Sequence, residues 1–392
     1  MFDIFRTLFC VAIDTLKREL INIKRRKISK ADKLLWEMLV FVSAMCFLAI
    51  AILGVLPSKY MAVILVVMVM NIFVVKSMQK RACASKKRRK KGRGLIFVSC
   101  IIMLVTSFYM VKIASAMNEI VIGETNDIDV TEQPFHIYIS GIDVYGELTT
   151  ESRSDVNLIA TVNPKTHKIL ITTTPRDYYV SIPGVSGDEK DKLTHAGIYG
   201  MDASINTLEK LYDIEIPFFV RVNFTSVIEM VDALGGIDVN SEISFTTGEE
   251  AGAIVEVKEG MNHFNGTEAL AFVRERKAFV DGDNQRGKNQ QALLTALIKE
   301  VLSPKMLIQG DDVIDSFVGN VETNMSETQM KSLIRRQIEE MSAWKIETVA
   351  ATGDDTGKEY CYSYPDGPLY VTIPNSNSVN EIKTKMTEML LN

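Results

Sequence analysis

Five arginines stand at segment ends or in turns of the second part of the chain. They are Arg153 in SRSD, Arg176 in TTTPRDYYV, Arg274 and Arg276 in FVRER, and Arg286 in DGDNQRGKNQQ. Asp155 and Asp177 lie beside two of them, and Asp143 follows an alternating apolar run in SGIDVYG. A planar guanidinium suits bidentate contact with phosphate, and paired carboxylates suit a hard divalent cation. These residue types point to Mg²⁺ on Asp143 and Asp155, with arginines on the phosphates of a ligand. A single Arg beside a single Asp reads far more readily as a surface salt bridge; five of the domain's eight arginines beside Asp-rich turns shift that balance, and spacing alone leaves both readings open. Arg274 and Arg276 diverge by about 200° on a continuous helix, so they reach one ligand only if the helix ends there. The four histidines are scattered, with no Ser or Cys motif nearby, so a nucleophilic triad is not expected. No pair among the five cysteines has metal-site spacing.

The elements that must position these residues follow from hydrophobic periodicity. Alternation predicts strands over Phe135–Ser140, Val156–Val162, Ile169–Thr173, Phe218–Asn223, Ile346–Ala351 and Leu369–Ile373. Helical spacing covers Asp202–Tyr212, Thr225–Leu234, Gly266–Arg274, Arg286–Leu302, Glu327–Met341 and Ser378–Leu391. Strands interleaved with helices predict an α/β domain over 135–392, a mixed β-sheet layered by helices. Ligands of such sheets collect at strand ends, where the arginines fall.

Charge and hydropathy separate this domain from what precedes it. Up to Ile113 there are 21 basic and 5 acidic residues, leaving 23 basic and 44 acidic for the remainder. Three apolar runs, Leu34–Leu56, Tyr60–Val75 and Leu95–Val111, are long enough to read as transmembrane helices. Pro57, Ser58 and Lys59 are the expected turn between the first two. Nine basic residues precede the first run and ten lie in the 76–93 loop, against Lys59 alone in the turn. The positive-inside rule therefore places the amino terminus and that loop in the cytoplasm, and the acidic domain outside. The organisation expected is a basic, amphipathic cytoplasmic segment at 1–33, a membrane part at 34–113, an extracellular tether at 114–134 and the external domain. The basic run Lys86–Arg93 sits beside two spans, which assigns it to topology and anionic membrane lipid; no nucleic acid is expected as a partner.

The motifs SGID, SRSD, TTTPRDYYV, FVRVNF, VDALGGIDV, LAFVRERK and DGDNQRGKNQQ, in that order, resemble the LytR-CpsA-Psr family of bacterial cell-envelope proteins, of the kind with three spans. The resemblance implies a phosphotransferase. It would take a glycopolymer, of capsule or wall teichoic-acid type, from a polyprenyl pyrophosphate carrier and attach it to peptidoglycan. By matching positions, Asp143 and Asp155 would hold Mg²⁺. Arg153, Arg176, Arg274, Arg276, Arg286 and Gln290 would contact phosphates, and an apolar groove would take the prenyl tail. The family often carries another Arg where this chain has Asn289, and Lys288 is the expected substitute. Asp177 is a candidate base with an equally good salt-bridge role. A carrier pyrophosphatase and a non-catalytic lipid-binding regulator are the competing readings.

Overall fold

The computed structural model describes residues 30–391 apart from 83–85, 124, 143–151, 280–281 and 304–319. The amphipathic reading of the first twenty residues and the Asp143 assignment lie outside the described residues. The chain divides into two units, Met1–Lys112 and Ile113–Asn392.

Three helices dominate the first unit: α1 (Lys30–Leu53), α2 (Ser58–Ala82) and α3 (Lys86–Glu119). Each contains a stretch long and apolar enough to cross a membrane. They share a seam that includes Leu39, Cys46, Ile50, Val75, Ile96 and Cys100, while many outward apolar side chains stay exposed, as lipid-facing surfaces require. Buried Asp32 accepts a hydrogen bond from Arg93 Nε at 2.8 Å, tying α1 to α3. Two local expectations need correction. The turn lies at 54–57, with Gly54 at φ 69°, because Pro57 suits the residue just before a helix start and Ser58 and Lys59 continue into α2. Most of the basic 76–93 segment is helical, since Lys and Arg are good helix formers and let α2 and α3 extend beyond their apolar windows.

The second unit begins with β1 (Phe135–Ile142), β2 (Ser154–Asn163), β3 (Lys168–Thr173), β4 (Tyr179–Val180), β5 (Asp191–Lys192), α4 (Leu193–Ala196) and α5 (Met201–Tyr212). There follow β6 (Phe218–Asn223), α6 (Phe224–Ala233), β7 (Ile237–Ser241), β8 (Phe245–Thr246), β9 (Glu256–Val257), β10 (Gly260–Phe264), α7 (Gly266–Arg274) and α8 (Gly282–Val301). The chain closes with β11 (Val321–Thr323), α9 (Glu327–Glu340), β12 (Lys345–Ala350), β13 (Gly353–Cys361), β14 (Tyr364–Pro374) and α10 (Ser376–Leu391).

The central sheet has the order β11-β6-β1-β2-β3-β12. Strands β6, β1, β3 and β12 run one way; β2 and β11 run the other. The ends of β1, β3, β6 and β12 and the start of β2 therefore share one edge. Side chains alternate between two cores. Tyr138, Ile159, Leu170 and Phe219 pack under α5 and α10. Phe135, Leu158, Ile171 and Phe218 face the other way, toward Leu294 and Ile298 of α8 and Met330 and Leu333 of α9. A third cluster joins α6, α7, β7 and β10 around Phe264, Leu270 and Phe272. The mixed sheet layered by helices is thus as expected.

The tether expected at 114–134 needs correction: 114–119 continue α3, and described residues beyond it bond to the rest of the second unit. Ile122 N–H donates to the Thr323 carbonyl at 2.7 Å, Gln329 Nε2 donates to the carbonyls of Asn126 and Ile128, and Val130 is buried.

Candidate active site

Asp155 is the second residue of β2, and Arg176 lies three residues past the end of β3. Because β2 and β3 are antiparallel neighbours, their near ends meet, and Arg176 Nη1 donates to Asp155 Oδ1. Asp177 is buried beside them. Its Oδ1 accepts from Lys192 Nζ at 2.7 Å, and its Oδ2 lies 3.5 Å from Arg176 Nε. That engagement favours the salt-bridge role for Asp177. The Arg176 carbonyl accepts from Thr194 N–H at 2.8 Å, so α4 is pinned to the same edge. Exposed Arg153 stands two residues before Asp155, on backbone so close to Gly197 that a Cβ there would lie 2.5 Å from the Ser152 carbonyl oxygen.

Helix α7 begins with a capping box, in which Asn265 Oδ1 accepts from Glu268 N–H and Glu268 Oε2 accepts from Asn265 N–H. It ends at Arg274, where Glu275 turns extended, at φ −61° and ψ 132°. The break falls between Arg274 and Arg276, which meets the condition for both to serve one ligand. Glu275 holds the break. Its Oε1 accepts from the N–H groups of Arg276, Lys277 and Ala278, and its Oε2 from Gly248 N–H at 2.6 Å. Burial raises the Glu275 pKa, but the four N–H donors outweigh it and leave the group below the ordinary glutamate range. Arg274 stacks its guanidinium 4.5 Å from the Phe224 ring centroid.

The Arg276 carbonyl abuts α8, since a Cβ on Gly282 would come within 2.6 Å of that oxygen. Arg286 and Gln290 are buried on α8, one turn apart. Leu294 and Ile298 continue the same stripe onto the sheet, so core packing fixes where Arg286 and Gln290 stand. Gly287 lies against Thr173 at the end of β3, which brings the Arg286 turn to the edge that carries Arg176.

Lys288 departs from the expectation. It stands about 200° around the helix from Arg286 and pairs with Glu242 at 3.0 Å. Asn289 turns inward instead and donates from Nδ2 to the Phe272 carbonyl at 3.0 Å.

Three contributors escaped the sequence reading. Glu275 looked like one more charge in a charged motif. Lys192 had no motif at all. Arg221 was legible in principle: in FVRVN it shares alternation parity with Phe219, which places a charge on the inward face of an interior strand. It is buried opposite Ser140 and lies 3.3 Å from Glu322.

The metal assignment can be tested against the donor set. Asp155 offers hard carboxylate oxygen, and among the described residues none donates to its Oδ2. Such an oxygen suits Mg²⁺, which takes one or two carboxylates and fills its shell with phosphate and water. Among the described residues no group of three or more His, Cys, Asp or Glu gathers to make a protein-only cage.

The LytR_cpsA_psr family model matches residues 104–388. The chain belongs to the LytR_cpsA_psr family. Among curated relatives it is 29% identical over 332 residues to polyisoprenyl-teichoic acid–peptidoglycan teichoic acid transferase TagT of Bacillus subtilis, covering 79% of this chain and 98% of TagT. It is 36% identical over 208 residues to the TagU enzyme of the same description from Bacillus mycoides, covering 53% of this chain and 65% of that protein. The crystal structure of Bacillus subtilis TagV superposes with a TM-score of 0.54 at 29% identity, over 66% of this chain and 98% of that one. Within the LytR_cpsA_psr match fall all the arginines discussed above, from Arg153 to Arg286, together with Asp155.

Proposed function

We propose that the protein transfers a glycopolymer of the teichoic-acid type from a polyisoprenyl diphosphate carrier to peptidoglycan, by phosphoryl transfer. The observation that carries this reading is the meeting of Asp155, Arg176 and the Arg286 turn at one sheet edge. It is supported by membership in a family whose curated relatives are named for that reaction. A hydroxyl oxygen of the acceptor sugar attacks the phosphorus that bears the polymer. A new P–O bond forms, the bond to the bridging diphosphate oxygen breaks, polyisoprenyl phosphate leaves, and the hydroxyl proton passes to solvent. Such a reaction asks the protein for positioning and charge neutralisation, with no covalent nucleophile.

Arg153, Arg176, Arg274, Arg276 and Arg286 stay charged at any physiological pH and would hold the phosphate oxygens, with Gln290 beside them. Asp155 and Asp143 would hold Mg²⁺, which when bound offsets charge on the departing phosphate. Arg176, bonded to Asp155, keeps that carboxylate oriented. The carrier's apolar tail would need an apolar groove, and the layer beneath α5 and α10 is the candidate for it. With the basic segments cytoplasmic, the domain faces outward, where carrier and acceptor are both confined.

The full chain in nanodiscs, supplied with lipid-linked polymer, Mg²⁺ and peptidoglycan fragments, should yield polymer covalently joined to the fragments. Release of phosphate without joined product would establish the hydrolase instead. Binding without any turnover would establish the regulator. A capsule polymer meets the same phosphate contacts, so competition between the two donors decides the cargo. Protease added to intact cells should digest the acidic domain, and its protection would reverse the orientation.

A further inference from the structure

The hairpin β13–β14 carries four exposed tyrosines, Tyr360, Tyr362, Tyr364 and Tyr370, and Tyr199 faces it with its ring centroid 6.5 Å from that of Tyr362. These five are 39% to 63% exposed, and among the described residues they are all the exposed tyrosines of the second unit. The sequence YCYSY explains how Tyr360, Tyr362 and Tyr364 come to be exposed around inward-turned neighbours. The intervening Cys361 is buried, and Ser363 turns in: its Oγ lies 2.8 Å from His195 Nδ1, and its N–H donates to Asp191 Oδ2 at 2.9 Å. Asp191 in turn sits 2.5 Å from His195 Nδ1, so the hairpin tip is bolted to β5 and α4. The rings are therefore displayed on an anchored support.

The display is continuous with the phosphate edge. Arg176 bonds Asp155, Asp177 lies against Arg176, Lys192 bonds Asp177, and Lys192 Nζ lies 5.7 Å from the Tyr370 ring centroid. A chain bound along the tyrosines would lie beside that edge.

We propose that this ridge binds a neutral carbohydrate chain, the glycan strand of the acceptor. Tyrosine presents a flat apolar face, on which the C–H faces of pyranose rings stack, and a hydroxyl that can bond sugar hydroxyls, at low cost in side-chain entropy. Charge selects among sugars. The hairpin has four acidic residues, Asp354, Asp355, Glu359 and Asp366, against Lys358 alone, which disfavours a phosphate-rich polymer and an anionic lipid surface. The inference rests on the transferase reading for the word acceptor; the binding itself does not.

The test uses the full chain in detergent and a labelled oligomer of β-linked N-acetylglucosamine, with anionic vesicles and a polyphosphate as competitors. Wild-type protein is expected to bind the oligomer and to ignore both competitors. Tyr360→Ala and Tyr362→Ala should each weaken binding roughly tenfold, and Tyr362→Phe should keep most of it because the ring face remains. In a transfer assay the same alanine variants should raise KM for the acceptor and leave KM for the lipid-linked donor unchanged. The proposal is overturned if wild type does not bind the oligomer, if the double alanine variant binds it normally, or if the tyrosines govern vesicle binding instead. Arg276→Ala separates this from the transferase reading. Loss of transfer with sugar affinity intact upholds both, whereas full activity in that variant removes the phosphoryl-transfer reading and leaves the ridge to its own binding data.

Discussion

Arg176 donates through Nη1 to Oδ1 of Asp155, joining the residue past the end of β3 to the start of β2. This bond sets the orientation of the one described carboxylate suited to a metal at the sheet edge. Asp155→Ala should lower transfer at least 100-fold while the domain still folds, at a cost of about 1–3 kcal/mol for the bond lost to Arg176. Chelation of divalent ions should abolish wild-type transfer, and added Mg²⁺ should restore it. Full activity in chelator would remove the metal from the scheme.

Glu275 is a positioning residue, because its carboxylate accepts from backbone N–H groups, three in the segment that carries Arg276 and one from Gly248 in a neighbouring loop. Glu275→Ala leaves four N–H groups without their acceptor and should cost roughly 1–3 kcal/mol of stability. It should also raise KM for the donor, and Glu275→Gln should restore part of that loss through its remaining carbonyl oxygen. Donor kinetics and urea melts on the same preparations would show whether the two effects travel together.

Asn289 ties α8 to α7 through the Phe272 carbonyl. Asn289→Ala should destabilise by about 1–2 kcal/mol with kcat nearly unchanged. A loss of kcat without loss of stability would place Asn289 on the ligand. Lys288→Ala, which breaks only an exposed pair with Glu242, should alter neither quantity appreciably.

His136 is buried on β1, its Nδ1 2.9 Å from Thr161 Oγ1, and its Nε2 has no partner among the described residues. Burial pushes its pKa down to about 4 from 6.5. The unfolded chain therefore binds the proton first, and stability should fall as pH drops from 6.5 toward 4, by roughly 3 kcal/mol over the whole window. Urea melts across that range should show the slope, and His136→Asn should flatten it.

Much of the scaffold was legible because it depends on short-range patterns. Strand Phe218–Asn223 and helix Gly266–Arg274 emerge with the boundaries that alternation and capping imply. The hairpin Gly353–Pro374 was half hidden, since only Leu369–Ile373 alternates cleanly and the rest is polar and aromatic. The turn after α1 was misplaced by a few residues because a helix start after proline is a local capping matter that hydropathy does not register. For the candidate site, residue types were informative while partners were not. Arg274 and Arg276 announced themselves by spacing, but Glu275, which sits between them and holds the break, also bonds a loop 27 residues earlier, a partner that spacing does not reveal.

By itself the sequence determined that three apolar helices precede an acidic α/β domain, and which arginines are candidates for phosphate. Those properties reside in composition and in periods of two and 3.6 residues, so they need no knowledge of what lies across the fold. Tertiary structure alone decided that Asp155 meets Arg176, that Lys288 pairs with Glu242 and Asn289 with the Phe272 carbonyl, and that exposed tyrosines are anchored next to the Asp155–Arg176 edge. Each is a contact between residues far apart in the chain. Strand order and helix docking bring them within hydrogen-bonding or stacking range, and both are set by burial of the two sheet faces as a whole.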